Sequence, residues 1–458
     1  MERKEIGIII ERQRQFFATH RTFDIGYRIE ILKKMRSVII EHEEEIVDAI
    51  WQDFHKPRFE VIATESRFVI KEINYAIRNL KTWSRSKRVR TPIVHFWSHS
   101  YVVAQPYGQV LVLSPWNFPF QLAFMPVIGA LAAGNCVVLK VSQQAVHITK
   151  VIGKILDHFP KELVAMTNGD HGISEFLLEQ KFDYIFFTGS SSVGKYVMKK
   201  AAENLIPVSL ELGGKNPCVI AADARLDFAA RRIAWGKFLN AGQTCVSPDY
   251  VLIDRKIKKQ FLDLITAEIK KFYGENPETS DHLARLISSG SVRRLSELIG
   301  KGHVVTGGIN DPDKRYFSPT IISDVKPEDA IMKEEIFGPV LPVLEFDDIS
   351  EVYGIIERNP KPLATYIFSR SKRLIRDFLS RTQAGTASVN DTVMQIASPY
   401  LPYGGVGSSG IGRYHGKRSF DTFSNHRSVL VKSNLLDMPV RYPPYSNLKT
   451  RILSFLLR

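Results

Sequence analysis

The sequence predicts an α/β protein built from two large domains, and three features carry that expectation. Short apolar strands alternate with helical patterns over the middle of the chain. The alternation stops at Gly213-Gly214 and then restarts. A chain of 458 residues is also longer than one hydrophobic core ordinarily supports.

Taken in order, residues 2–83 read as helical. Leu32, Met35, Ile39, Ile46 and Ile50 recur at helix spacing, as do Ile62, Phe68, Ile73, Ile77 and Leu80. Residues 84–91 are basic, poor in apolar side chains and end at Pro92, the pattern of a linker. Residues 93–104 are β-like and stop at Pro106-Tyr107-Gly108, which suits a projecting hairpin. Strands are expected at 110–113, 137–140, 164–166 and 183–188, and helices at 148–159 and 192–203. After Gly214 come strands at 217–221 and 250–253 and helices at 226–239 and 256–273. The run 122–139 is apolar enough to resemble a membrane span. Pro126, Gly129, Gly134 and Asn135 divide it into helix, turn and strand, so buried core is expected.

Composition narrows the function classes. The hydrophobic fraction is 44% and the charged fraction 24%, as in globular proteins. The net charge of +14 is spread along the chain rather than gathered in an arm. It reads as solvated Lys and Arg with attraction for anionic cofactors, not as a nucleic-acid surface. The three cysteines, Cys136, Cys218 and Cys245, have neither metal spacing nor an even count. No metal site and no disulfide framework are expected, and a reducing cytoplasmic setting is. The apolar patch after Met1-Glu2-Arg3-Lys4-Glu5 is too short for a secretory signal.

Two glycine patterns mislead. Gly189-Ser190-Ser191-Ser192-Val193-Gly194-Lys195 follows a strand and opens a helix, as a P-loop would, but Tyr196 stands where magnesium needs Ser or Thr. The helix N-terminus still offers N–H groups to a pyrophosphate. Gly405-Val406-Gly407-Ser408-Ser409-Gly410 spells a dinucleotide fingerprint, yet the proline-containing 398–403 cannot be the strand it requires. A glycine loop near an active site or an interface is expected there.

Three other stretches carry chemistry. Phe238-Leu239-Asn240-Ala241-Gly242-Gln243-Thr244-Cys245 places a thiol in a polar, glycine-containing setting, whereas Cys136 and Cys218 sit in apolar strands. Glu211-Leu212-Gly213-Gly214-Lys215 supplies a lone carboxylate, and Pro115-Trp116-Asn117-Phe118-Pro119 an amide between prolines. A thiolate that attacks a carbonyl, an amide that holds the oxyanion and a carboxylate that activates water make and hydrolyse a thioester.

With Phe187-Thr188-Gly189-Ser190 and Glu334-Glu335-Ile336-Phe337-Gly338-Pro339, these motifs resemble those of NAD(P)-dependent aldehyde dehydrogenases in order and spacing. Val389-Asn390-Asp391-Thr392, the run from Leu401 through Gly407, Tyr414-His415-Gly416-Lys417 and Ser419-Phe420-Asp421-Thr422-Phe423-Ser424 are similar to the class 3 branch, which includes fatty aldehyde dehydrogenases. The resemblance implies a Rossmann-type dinucleotide-binding domain (1–83 and 107–210) and an α/β catalytic domain (211–398). It also implies a bridging β element with a tail (84–106 and 399–458) that joins a homodimer. It makes Cys245 the nucleophile, Asn117 with the Cys245 N–H the oxyanion hole, and Glu211 the activator of the deacylating water. NAD or NADP would be held by Trp116, Lys140, Gln143, Gly189, Ser190, Gly194, Glu335 and Phe337. The substrate would be an aldehyde, aliphatic of medium or long chain, or aromatic. Alternatives are transfer of the acyl group to coenzyme A, which has no need of Glu211, and a non-catalytic protein that kept the fold.

Two departures bear on function. The family usually has Lys-Pro-Ser-Glu where this chain has Lys140-Val141-Ser142-Gln143. The family's glutamate repels a 2′-phosphate and Gln143 does not, so strict NAD preference is not expected. Residues 448–458 form a basic amphipathic pattern, with Lys449, Arg451 and Arg458 beside Leu448, Ile452, Leu453, Phe455, Leu456 and Leu457. Such a helix can lie on an anionic membrane, cap the substrate entrance or pack on a partner subunit.

Overall fold

A computed structural model describes residues 2–300 and 302–457. Met1 and the Arg458 of the basic tail lie outside the described residues. Among those described, strands form a six-stranded, a seven-stranded and a three-stranded sheet and a two-stranded ribbon.

The six-stranded sheet has Gln109–Leu113 near its centre. Cys136–Lys140 and then Val164–Thr167 lie on one side, with Tyr184–Thr188, Val208–Glu211 and Gly410–Ile411 on the other. All its pairings are parallel except the last, where Gly410 faces Glu211. Numbered along the chain, the parallel strands run 3-2-1-4-5, the dinucleotide-binding order. The order reverses between Gln109–Leu113 and Tyr184–Thr188, so a crevice opens at their carboxyl ends, beside Ser114 and Gly189.

Both faces of this sheet are covered. The helix Gln121–Ala133 is buried at every position, and Gly134 with φ 98° turns the chain into the strand Cys136–Lys140. Helix, turn and strand in 122–139 therefore stand as expected. The helices Ile25–Glu41, Glu43–Phe54 and Arg67–Trp83 bury Leu32, Met35, Ile39, Ile46, Ile50, Ile73 and Leu80 in the same core.

The seven-stranded sheet runs His303–Thr306, Thr320–Ser323, Val340–Phe346, Tyr250–Asp254, Pro217–Ile220, Ala364–Phe368, Thr386–Val389. It is parallel except at its first pair. The third sheet sets Ser98–Pro106 between Lys87–Val89 and Ser424–Lys432.

Two local expectations need correction. The supposed linker 84–91 contains the strand Lys87–Val89, whose residues are all exposed, so no apolar alternation marked it. Residues 93–95 form a short 3-10 turn, and the strand begins at Ser98. The elements from Ser289–Ile299 to Ser424–Lys432 carried no individual expectation, and neither did the helix His171–Glu179. It buries only Leu177 and Leu178, and its clearest signal was the Asp170 cap on the Ile173 N–H.

Candidate active site

Cys245 is placed by a helix end that turns against its own preference. Helix Leu226–Phe238 anchors itself in the core through Ala229, Ala230, Ile233, Ala234 and Phe238. The chain then passes through three left-handed residues, Asn240 (φ 53°), Ala241 (φ 52°) and Gly242 (φ 72°). A left-handed alanine costs about 1–3 kcal/mol and persists only where its surroundings hold it. Here Gln243 does so. Its Nε2 donates to the carbonyls of Asn240 (3.0 Å) and Arg285 (3.2 Å), and its Oε1 accepts from the Ile287 N–H (2.9 Å). Only glycine fits at 242, because a Cβ would lie 2.2 Å from the Gly338 carbonyl oxygen. Asn216 Nδ2 then donates to the carbonyls of Cys245 (2.7 Å) and Ser247 (3.0 Å), fixing the cysteine's backbone.

The thiol opens on an apolar cavity of about 170 Å³. Phe68, Phe118, Leu122, Trp235, Ile396 and Tyr414 are among its walls. The Tyr403 hydroxyl lies 3.3 Å from Cys245 Sγ, and its ring stacks on His415 (5.0 Å, 16°). Burial pushes the thiol up to about 12; the Tyr403 bond opposes this, while the charges of Glu335 and Glu211 add to it. The resting group is a thiol. Tyr403, Tyr414 and His415 had no role in the sequence reading, although all three sit inside quoted motifs.

Asn117 is buried against the same turn. Its Nδ2 donates to the Gln243 carbonyl (3.1 Å), and its carbonyl accepts from Asn240 Nδ2 (2.8 Å). A side-chain amide has two N–H groups, so one stays available to an oxyanion.

Glu211 ends its strand with its backbone paired to Gly410 and with its carbonyl accepting from the Gly189 N–H (3.0 Å). The residue is buried, and neither carboxylate oxygen has a hydrogen-bond partner among the described residues. Burial raises its pKa well above the ordinary carboxylate value, opposed by Arg413. Gly404 lies against it, since a Cβ there would meet Glu211 Oε1 at 2.8 Å. The Gly405–Gly410 run therefore lies beside Glu211, with Gly410 paired to its backbone.

The residues assigned to the cofactor divide. Gly189 and Ser190 sit at the reversal point of the sheet, and Ser190 Oγ accepts from the Val193 N–H to cap helix Ser191–Ala202. Lys140 ends the neighbouring strand half-buried, its amine lowered first by desolvation. Glu335 approaches the double-glycine turn closely, for a Cβ on Gly213 would lie 2.0 Å from Glu335 Oε2. Its pKa is raised to about 8, first by burial and then by Asp249, while the Gly214 N–H opposes the shift. Trp116 and Phe337 meet edge to face at 5.5 Å. Gly194 lies elsewhere, beneath its helix, where a Cβ would strike Leu212 at 2.6 Å, so its small size serves helix-on-sheet packing. Gln143 is exposed. No group of His, Cys, Asp and Glu able to hold a metal exists among the described residues.

A mostly parallel sheet in dinucleotide order, a thiol in an apolar cavity and an unpartnered buried carboxylate nearby suit an aldehyde-oxidising enzyme of the nicotinamide-dependent kind. The chain belongs to the aldehyde dehydrogenase family, whose pattern it matches over residues 1–429. It oxidises aldehydes to acids with NAD or NADP. It is 41% identical over 433 residues to the 4,4'-diaponeurosporen-aldehyde dehydrogenase of Staphylococcus aureus, covering 94% of each chain. To human aldehyde dehydrogenase family 3 member B1 it is 40% identical over 451 residues, 98% of this chain and 96% of that one. Among solved structures, the substrate-bound state of Staphylococcus aureus AldH superposes with a TM-score of 0.97 at 39% identity, covering 99% of both chains. The NAD+ complex of a Bacillus cereus aldehyde dehydrogenase gives 0.86 at 27%, covering 94% of this chain and 89% of that one.

Proposed function

We propose that the chain oxidises apolar aldehydes, aliphatic of medium or long chain or aromatic, through a thiohemiacetal and a thioester on Cys245. The observation that carries this reading is the Cys245 thiol at the wall of an apolar cavity, with the buried, unpartnered Glu211 close enough to influence its charge. A relative named for an aldehyde substrate agrees with it.

Cys245 first gives up its thiol proton to solvent, the Tyr403 O–H donating to the sulfur and favouring the thiolate, and Sγ then adds to the aldehyde carbon. The resulting alkoxide is held by the free N–H of Asn117 and the N–H of Cys245. Bound nicotinamide dinucleotide supplies the hydride acceptor. Glu211, a stronger base for being desolvated, then takes a proton from the water that hydrolyses the thioester.

For the cofactor, the N-terminus of helix Ser191–Ala202 and the Gly189–Ser190 turn seat the pyrophosphate. Glu335 would hold the nicotinamide ribose, Phe337 and Trp116 would pack near the nicotinamide, and Lys140 would lie near the adenosine ribose. Gln143, neutral and exposed, leaves NADP usable beside NAD. Gly194, which lets helix Ser191–Ala202 sit close on Leu212, would serve the cofactor through the placement of that helix. The domains divide at 1–83 with 107–210, at 211–398, and at 84–106 with 399–458. The last joins two copies through its three-stranded sheet. Helix Asn447–Leu456 buries none of its residues, in keeping with a partner subunit or a membrane surface as its resting place. No described helix is long and apolar enough to cross a membrane.

The test is a pre-steady-state assay with straight-chain aldehydes of increasing length, with and without coenzyme A, on the wild type and Cys245→Ala. Expected are a burst of reduced cofactor in the wild type, no acceleration by coenzyme A, and no turnover with retained cofactor binding in the variant. Turnover in Cys245→Ala would overturn the nucleophile, and acyl-coenzyme A as product would overturn hydrolysis.

A further inference from the structure

We infer that the buried pair Lys56–Glu65 positions the oxyanion donor Asn117, an inference that rests on the role proposed for that amide. Lys56 Nζ lies 2.9 Å from Glu65 Oε1, and both side chains are 0% exposed. The second carboxylate oxygen of Glu65 accepts from the Phe120 N–H (3.2 Å) and the Gln121 N–H (2.9 Å), where helix Gln121–Ala133 begins. Lys56 Nζ sits 4.0 Å from the centroid of the Phe118 ring. The pair therefore grips Phe118, Phe120 and Gln121, the residues just after Asn117. On its other side Asn117 is bonded to Asn240 and Gln243.

The placement of Glu65 ties this grip to the substrate. Glu65 lies in the π-helical turn Ile62–Ser66, whose Ala63 and Thr64 line the cavity. A π turn accommodates an extra residue within a helix and frequently marks a functional site. A buried ion pair is weak evidence for a stabilising role, because apolar residues of the same volume often serve stability as well or better. What apolar residues cannot do is direct two backbone N–H groups onto one carboxylate. That arrangement fixes the path of the loop bearing Asn117. An oxyanion donor is effective only when held where the charge develops.

A double-mutant cycle tests the inference. Glu65→Gln and Asn117→Ala are made singly and together, and kcat, the KM for cofactor and the isotope effect with 1-deuterated aldehyde are measured. A displacement of about 1 Å at a reacting geometry can cost on the order of a hundredfold, and the partial displacement here should lower kcat roughly tenfold. The KM for NAD should change much less than kcat, since the grip does not reach Gly189 or Ser190 and touches the cofactor site only through Trp116, next to Asn117. The isotope effect on kcat should rise as the step at the aldehyde carbon becomes slower. In the Asn117→Ala background Glu65→Gln should lower kcat less than about twofold, because its route of action is gone. Lys56→Met/Glu65→Gln, which removes both buried charges, should fold and repeat the same pattern.

If the two losses multiply in the double variant, the pair acts independently of Asn117 and the inference is overturned while the oxyanion role stands. Wild-type kcat in Glu65→Gln and in the charge-free double variant would overturn it equally, as would failure of both to fold, which would make the pair structural. If Asn117→Ala itself keeps wild-type kcat, the oxyanion reading falls first.

Discussion

Replacing Tyr403 by Phe removes one oxygen from the wall beside the nucleophile and leaves the ring on His415. The hydroxyl stands 3.3 Å from Cys245 Sγ. A hydrogen bond to a charged group contributes about 1.5–3 kcal/mol and one to a neutral group about 0.5–1.5 kcal/mol, so the bond favours thiolate over thiol by roughly 1–1.5 kcal/mol. One pKa unit corresponds to about 1.4 kcal/mol, so the thiol of the variant should titrate roughly one unit higher. The wild-type thiol is already held up to about 12, chiefly by burial, so both proteins rest as thiols at neutral pH. The thiolate fraction should then fall about tenfold at any pH below both values, and kcat/KM for aldehyde should fall with it. The direct assay is alkylation of Cys245 by iodoacetamide as a function of pH, located by peptide mass spectrometry. The rising limb should shift to higher pH by about one unit, with cofactor affinity unchanged. An unshifted limb would refute the reasoning and leave Tyr403 as a wall residue.

Gln143→Glu should raise the preference for NAD over NADP, read as the ratio of kcat/KM values. The site is exposed, so the added repulsion is about 1 kcal/mol and the change about fivefold; no change would place the 2′-phosphate elsewhere. Glu211→Gln should stabilise the protein as pH rises. Glu211 keeps its proton in the folded state to a higher pH than in the unfolded chain, chiefly through burial. Native protein thus binds more protons between the two pKa values, and wild-type stability falls as pH rises through that window. The variant should melt about 1–3 °C higher at mildly alkaline pH, with no gain below about pH 4, and equal melting at both would argue against a buried charge. If the tail rests on a membrane, the full chain should sediment with anionic vesicles at low salt and a chain ending at Tyr445 should not; identical behaviour of the two assigns the tail to the fold or the partner.

Local pattern carried most of the fold. The strands at 110–113 and 183–188 are short apolar runs bounded by turns, and both appear within one residue of their expected limits. Segments held by pairing rather than burial were harder to read. Lys87–Val89 is exposed throughout and owes its conformation to Ser98–Pro106. Cys245, Asn117 and Glu211 were singled out by the order and spacing of the family-like motifs around them, since a lone cysteine, amide or acid by residue type is more often inert. Tyr403 was not, since a tyrosine between Pro402 and Gly404 gives no sign of a sulfur 158 residues away. Lys56 and Glu65 carry no motif that marks them in the sequence, and only the fold brings them to full burial beside Phe118. Gly194 illustrates the converse. Its motif suggested a phosphate cradle, and its neighbour is Leu212.

The most direct measurement of the central claim uses Glu211→Gln, an aldehyde and oxidised cofactor, quenched after the first turnover and analysed by mass spectrometry. The expected result is about one equivalent of reduced cofactor per active site, little further turnover, and an acyl group on the peptide containing Cys245. Normal steady turnover without an adduct would contradict Glu211 as the base. An acyl group on Cys136 or Cys218 would contradict Cys245 as the nucleophile.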